Sequence, residues 1–168
     1  MVNYFKLEPG DHIADFGAGH GYFTIPMAKI VGGDGKIYAI DIQKSVLDII
    51  RARAKVEYLL NIEPIWGNCE EIGGSKLKDG FIDMALIANI LFQANNRPTL
   101  LREAYRILRH EGRLAIIEWD MSEVTLGPPM EIRIPKDQAK AMVFQSGFSF
   151  DREIPTGAHH YGLIFIKK

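Results

Sequence analysis

The chain has 168 residues, 47% of them hydrophobic and 24% charged, with a formal net charge of -1. That length fits one domain spanning residues 1–168 with a sizeable core, and near-neutrality excludes a global basic field of the kind nucleic acid attracts. Cys69 is the only cysteine, which excludes an internal disulfide and fits a reducing compartment.

Residues 1–12 lack an apolar h-region, so no signal peptide is expected. His12, Ile13, Ala14, Asp15 and Phe16 then read as a first strand. Residues 22–31 read as a helix with Phe23, Met27 and Ile30 on one face. Between them Gly17-Ala18-Gly19-His20-Gly21 places three glycines at alternate positions. Glycine lets the backbone turn sharply and approach a ligand, and a helix N-terminus presents N–H groups to it. The dinucleotide fingerprint is G-x-G-x-x-G with a small third residue. Here the spacing is G-x-G-x-G, and Tyr22 occupies the place that would have to be small.

Residues 36–40 read as a second strand ending in Asp41, followed by a helix capped by Ser45 that runs towards Leu60. Val46, Ile49, Ile50 and Ala54 are its expected inward residues. Residues 63–66 form a short third strand, placed at a sheet edge because Pro64 cannot donate to a ladder. Residues 81–87 are nearly all apolar, as in a central strand covered on both faces. The apolar run 81–92 contains Asp83 and is too short to span a bilayer, so a cytoplasmic protein without a membrane partner is expected. Pro98 opens a helix with Leu100, Leu101, Ala104, Tyr105 and Leu108 inward, and residues 113–119 are the fifth strand. A long connection, 120–135, leads to a helix over 136–146 stopped by Gly147. Residues 148–154 and 161–166 carry two strand signals with no helix between them, so the last strand is antiparallel to its neighbour. Alternating strands and helices imply an α/β fold with a mostly parallel sheet.

The segment Asp15-Phe16-Gly17-Ala18-Gly19-His20-Gly21 resembles the first motif of the class I methyltransferases that use S-adenosylmethionine. Tyr38-Ala39-Ile40-Asp41 is similar to that family's second strand with its terminal acid. Gly67-Asn68-Cys69-Glu70-Glu71 sits where the family often has Gly-Asp-Ala, Phe81-Ile82-Asp83-Met84-Ala85 resembles its fourth strand, and 101–108 with Gly112 its fourth helix and following turn. The resemblance implies a Rossmann-like three-layer sandwich whose seven-stranded sheet has order 3-2-1-4-5-7-6 with an antiparallel last strand. It implies S-adenosylmethionine as cofactor, held by Asp15, Gly17, Ala18, Gly19, Gly21, Asp41, Ile42, Asn68, Cys69 and Asn89. Asp41 would accept both ribose hydroxyls, since a carboxylate matches a vicinal diol. Asn68 departs from the common Asp but keeps a carbonyl oxygen for the adenine amino group. Asn89 reads equally as a pocket residue or a turn residue.

Methyl transfer depends on alignment and exclusion of water, and needs a base only where the acceptor must lose a proton. Glu118, Trp119 and Asp120 end the fifth strand, where they read as an acceptor pocket or as a solvated strand end. His159 and His160 read as a base in the closing hairpin or as exposed turn residues. His20 occupies a variable position of the glycine loop and receives no catalytic role. No metal site is expected, because one cysteine among scattered histidines and carboxylates gives no ligand spacing. The acceptor, small-molecule, quinone-like or protein, is not identified. Tyr4 and Phe5 read as a minimal lid or a frayed terminus. The cleft is therefore expected to be open or covered by a second copy or partner subunit. Two rival readings remain at this stage: a non-catalytic or partner-activated S-adenosylmethionine-binding subunit, and a nicotinamide-dependent oxidoreductase.

Overall fold

The computed structural model describes residues 1–123 and 127–168; residues 124–126 of the expected 120–135 connection lie outside them. The strands are β1 (His12–Phe16), β2 (Lys36–Asp41), β3 (Ile62–Trp66), β4 (Ile82–Ala88), β5 (Leu108–Trp119), β6 (Phe148–Ile154) and β7 (His160–Lys167). The helices are α1 (Thr24–Val31), α2 (Lys44–Val56), α3 (Arg97–Ile107) and α4 (Lys136–Gln145). They build one seven-stranded sheet in the order β3-β2-β1-β4-β5-β7-β6. All pairings are parallel up to β5, and β7 runs antiparallel to both β5 and β6. This is the Rossmann-like arrangement expected, with β3 and its Pro64 at one edge.

Period-2 alternation divides each central strand between two covered faces. Ala14, Phe16, Ile40, Ala85 and Ile116 pack on the side of α3 and α4. Ile13, Ile37, Met84, Leu86 and Ile117 pack on the other side with Met27 and Val31 of α1. Among the described residues no helix is long and apolar enough to cross a membrane.

Several local expectations are corrected. The turn through Gly21 extends to Phe23, so α1 begins at Thr24 and buries Val31, leaving Ile30 half-buried. In α2, Ser45 is not the cap. Asp41 Oδ1 accepts the N–H of Gln43 at 2.9 Å, which turns the chain into the helix one residue before Ser45. Val46, Ile50 and Ala54 are buried as expected, with Leu47 in place of Ile49, which is 39% exposed. The helix stops at Val56, not near Leu60, because Tyr58 adopts φ 54° and the Leu59 N–H returns to Ala54 O.

In α3 the buried face includes Glu103, which the apolar pattern passes over, while Tyr105 is only half-buried. Glu103 accepts from Gly73 N, Ser75 N, Ser75 Oγ and Arg106. Burial pushes its carboxyl up, but these donors outweigh that and hold it down at about 2. Leu108 leaves the helix and pairs with Ile82, so β5 starts there. Phe5 is neither lid nor frayed end. It is 0% exposed in the core beside Phe23, and Arg113 holds the Phe5 and Lys6 carbonyls and the Asp11 carboxylate.

Candidate functional site

Two adjoining cavities lie at the carboxyl ends of the parallel strands, the edge where open α/β sheets bind ligands. The smaller, about 320 Å³, is lined by Gly17, Gly19, Ile40, Asp41, Ile42, Asn68, Cys69, Glu70, Ile90 and Leu100, among others. The larger, about 590 Å³, is lined by Asp15, Gly17, Ala18, Gly19, His20, Tyr22, Phe23, Asn89, Ile117, Trp119 and His160, among others. Gly17 and Gly19 belong to both walls, so the glycine loop is the seam between them.

The loop is held by the end of β2. Gly17 N and Ala18 N both donate to Ile40 O, at 2.8 and 3.1 Å, and Gly19 N donates to Asp41 Oδ2 at 3.0 Å. Gly21 N donates to Ala18 O at 2.9 Å. At the start of α1, Thr24 Oγ1 donates to Asp15 Oδ2 at 2.6 Å. Asp15 is 2% exposed; burial pushes its carboxyl up to about 7 against the pull of the Thr24 hydrogen bond. This corrects a simple expectation. The N–H groups of all three loop glycines and of Ala18 are engaged within the protein, and a carboxyl faces the helix start. What the cavities offer instead is acceptors: Asp15, Asp41 and Glu70. That acceptor set disfavours a dinucleotide and matches a cationic ligand with hydroxyls.

Asp41 retains a free lone pair on each oxygen beyond its bonds to Gly19 and Gln43. Gly17 has φ +65°, and a Cβ there would come within 2.3 Å of Ile90 Cδ1. At Gly19 a Cβ would meet nothing nearer than Gly17 O at 4.0 Å, so it would project into free space at the seam. Asn89, at φ 57°, lines the larger cavity and its Oδ1 is buried without a partner. Asn68 lines the smaller cavity but folds onto its own loop: Oδ1 accepts from Glu70 N at 3.0 Å and Nδ2 donates to Glu71 at 2.9 Å. Cys69 is buried, and burial first, then the surrounding carboxylates, pushes its thiol up, so it serves as wall and not as nucleophile.

The five acceptor-side candidates separate. Trp119 and His160 line the larger cavity, their rings 4.2 Å apart. Glu118 does not line it. It is 0% exposed, so it is not a solvated strand end either; its Oε1 accepts from Leu91 N at 2.6 Å and its Oε2 has no partner. Alternation along β5 turns Glu118 to the face opposite Ile117 and Trp119. Burial pushes its carboxyl up to about 7, opposed by nearby backbone N–H groups. Asp120 and His159 lie outside the larger cavity. Both bond Ser122, the imidazole Nδ1 at 3.0 Å, and His159 is exposed. His20, given no role from sequence, does line the cavity. Ile90 follows Asn89 just past β4, and its apolar side chain carries no polar signal that would single it out from Leu91 and Phe92 beside it.

The methyltransferase domain family model matches residues 7–148. The chain is 30% identical over 113 residues, 67% of its length, to a ubiquinone/menaquinone biosynthesis C-methyltransferase of Vibrio parahaemolyticus, and 32% identical over 109 residues, 65% of its length, to a demethylmenaquinone methyltransferase of Lactococcus lactis. The match takes in only 42% of each of those two proteins. A solved structure of a SAM dependent methyltransferase from Aquifex aeolicus superposes with a TM-score of 0.91 at 25% identity, covering 99% of this chain and 87% of that one.

Proposed function

The chain belongs to the methyltransferase domain family, and from that premise we propose that it transfers the methyl group of S-adenosylmethionine to a planar aromatic small molecule. The observation that carries this reading is the donor set at the seam: spent loop N–H groups beside the carboxyls of Asp15 and Asp41. The cofactor supplies a methyl group on a sulfonium, activated for in-line displacement.

The protein's own residues then bind, orient and exclude water. Asp41 accepts the ribose hydroxyls through its remaining lone pairs. Asp15 and the unpartnered Asn89 Oδ1 receive the ammonium of the methionine part, which relieves a buried acceptor of its desolvation penalty. Gly17 and Gly19 leave the seam open. In the larger cavity Tyr22, Phe23, Ile117 and Trp119 offer apolar and aromatic surface, which favours a flat ring as acceptor. The names of the quinone-modifying relatives support the same class. His160, its ring tilted against Trp119, is the group placed to take a proton from an acceptor hydroxyl.

Calorimetric titration with S-adenosylhomocysteine and, separately, NADH tests the donor half; binding of NADH alone overturns it. Label transfer from methyl-labelled S-adenosylmethionine to a panel of phenols and hydroquinones tests the acceptor half. Tight S-adenosylhomocysteine binding with zero turnover across the panel points to a partner-activated subunit instead.

A further inference from the structure

The turn that follows β4 is gripped from both sides of its peptide groups. On the donor side, Leu91 N reaches Glu118 Oε1 at 2.6 Å, and the N–H groups of Ile90 and Phe92 also favour that carboxylate. On the acceptor side, Arg97 Nε reaches Leu91 O at 2.7 Å and its Nη2 reaches Phe92 O at 3.1 Å. A carboxylate at the N–H face and a guanidinium at the C=O face of one turn form charge-assisted bonds, roughly twice as strong as neutral ones. Neither side chain lines either cavity at the seam. The turn between them does: it carries Ile90, whose Cδ1 lies against Gly17, and Gln93 and Ala94, which wall the smaller cavity.

We infer that Glu118 and Arg97 are positioning residues of the donor site, a clamp that fixes residues 90–92 and so sets the width of the cavity between Ile90 and the glycine loop. Secondary structure alone does not hold this segment. It leaves β4 at Asn89 in a left-handed conformation, and its other bonds are Asn89 N to Ile117 O, Gln93 N and Ala94 N to Ile90 O, and Gln93 Nε2 to Asn89 O. Burying a carboxylate with one orphaned oxygen is unfavourable in itself, which makes a purely structural Glu118 a poor solution where leucine would pack. The inference rests on the reading of the smaller cavity as part of the S-adenosylmethionine site.

The experiment compares wild type, Glu118→Gln, Arg97→Met, Arg97→Lys and the Glu118→Gln/Arg97→Met double variant at pH 8. Each is titrated with S-adenosylhomocysteine, and hydrogen exchange is followed for peptides covering residues 88–96. Each of Glu118→Gln and Arg97→Met is expected to weaken binding about tenfold, as for loss of a charge-assisted hydrogen bond. The double variant should be weaker by about the same factor and not its square, because the turn is released only once. Arg97→Lys should recover part of the loss. Exchange should quicken in 88–96 and nowhere else. Folded single variants that bind within twofold of wild type, or a strictly multiplicative double variant, overturn the clamp. Should Glu118→Gln fail to fold, the two Arg97 variants and the exchange data decide. Absence of S-adenosylhomocysteine binding by wild type sinks the donor-site reading, while unchanged exchange at 88–96 sinks the clamp on its own.

Discussion

Asp41 and Gly19 are joined by a 3.0 Å bond from the glycine N–H to the Asp41 Oδ2, so one carboxylate both closes the glycine loop and faces the smaller cavity. Its second oxygen accepts from Gln43 N and starts α2. The same side chain therefore shapes the loop and holds the proposed ribose contact. Asp41→Asn keeps one carbonyl acceptor but supplies N–H where an acceptor is needed. We expect it to weaken S-adenosylhomocysteine binding by on the order of ten- to a hundredfold, measured by calorimetry, with a smaller effect on thermal stability. Unchanged affinity would remove Asp41 from the donor site.

Gly17→Ala tests the seam. The left-handed backbone at Gly17 costs an alanine about 1 kcal/mol or more, and the new methyl would meet the end of the Ile90 side chain. Because that side chain can rotate away, pairing the change with Ile90→Val should relieve the clash but not the backbone strain. Chemical denaturation should show both variants destabilised by about 1–2 kcal/mol. Full recovery of stability in the double variant would mean that the cost was steric and not conformational.

Much of this was legible from residue order. Strands whose two faces are both covered appear as continuous apolar runs, and the antiparallel closure followed from two strand signals without an intervening helix. Asp41 stood out because it ends a strand at a fixed remove from the glycine loop. What stayed hidden depends on tertiary partners. Glu103 and Glu118 are charged residues on apolar faces, and only distant groups, Ser75 and Arg106 in one case and Leu91 N in the other, explain them. In α2 the expected inward residues Val46, Ile50 and Ala54 are buried, and only Ile49 gives way, to Leu47. Phe5 looked like a loose end since its anchor, Arg113, lies more than a hundred residues away.

Stability should depend on pH in an unusual direction. Asp15 and Glu118 have carboxyls raised to about 7 in the folded protein, from ordinary values of 3.8 and 4.5. Between those limits the folded state binds protons that the unfolded chain releases, so stability is full at the acid end and falls as pH rises towards 7. Each group's share is on the order of 3–4 kcal/mol. Glu103, held at about 2, acts oppositely: its contribution is present above the unfolded value and lost as pH falls from 4.5 towards 2. Denaturation curves across pH 3 to 8 should therefore peak near pH 4, where the gain from Glu103 meets the onset of the decline from Asp15 and Glu118. Glu118→Gln should flatten the decline between pH 5 and 8, leaving the part due to Asp15. A wild-type curve that is level or rising over that interval would contradict the burial of both carboxyls.

The proposed donor site runs from Asp41 in the smaller cavity to Asp15 and Asn89 in the larger, so donor and acceptor functions should separate by residue and not by cavity. Trp119 lines only the larger cavity, Asp41 only the smaller, and Gly17 and Gly19 join them. Trp119 is itself fixed on one side by the His160 ring at 4.2 Å and on another by the buried Arg133, whose guanidinium carbon lies 5.5 Å from the indole. Arg133 in turn bonds the Asp120, Ser122 and Pro128 carbonyls, which ties the loop after β5 to the wall of the cavity. An indole so held offers a rigid face against which a flat acceptor stacks, worth about 0.5–1.5 kcal/mol beyond the area it buries. Trp119→Ala should then raise the acceptor KM at least tenfold while S-adenosylhomocysteine affinity stays within about twofold. His160→Asn should lower kcat with little change in either binding step if the acceptor atom carries a proton. Steady-state kinetics on whichever phenol or hydroquinone accepts label, run beside calorimetry, reads both quantities in one preparation. Loss of donor binding in Trp119→Ala would mean that the aromatic wall serves the cofactor and not the acceptor.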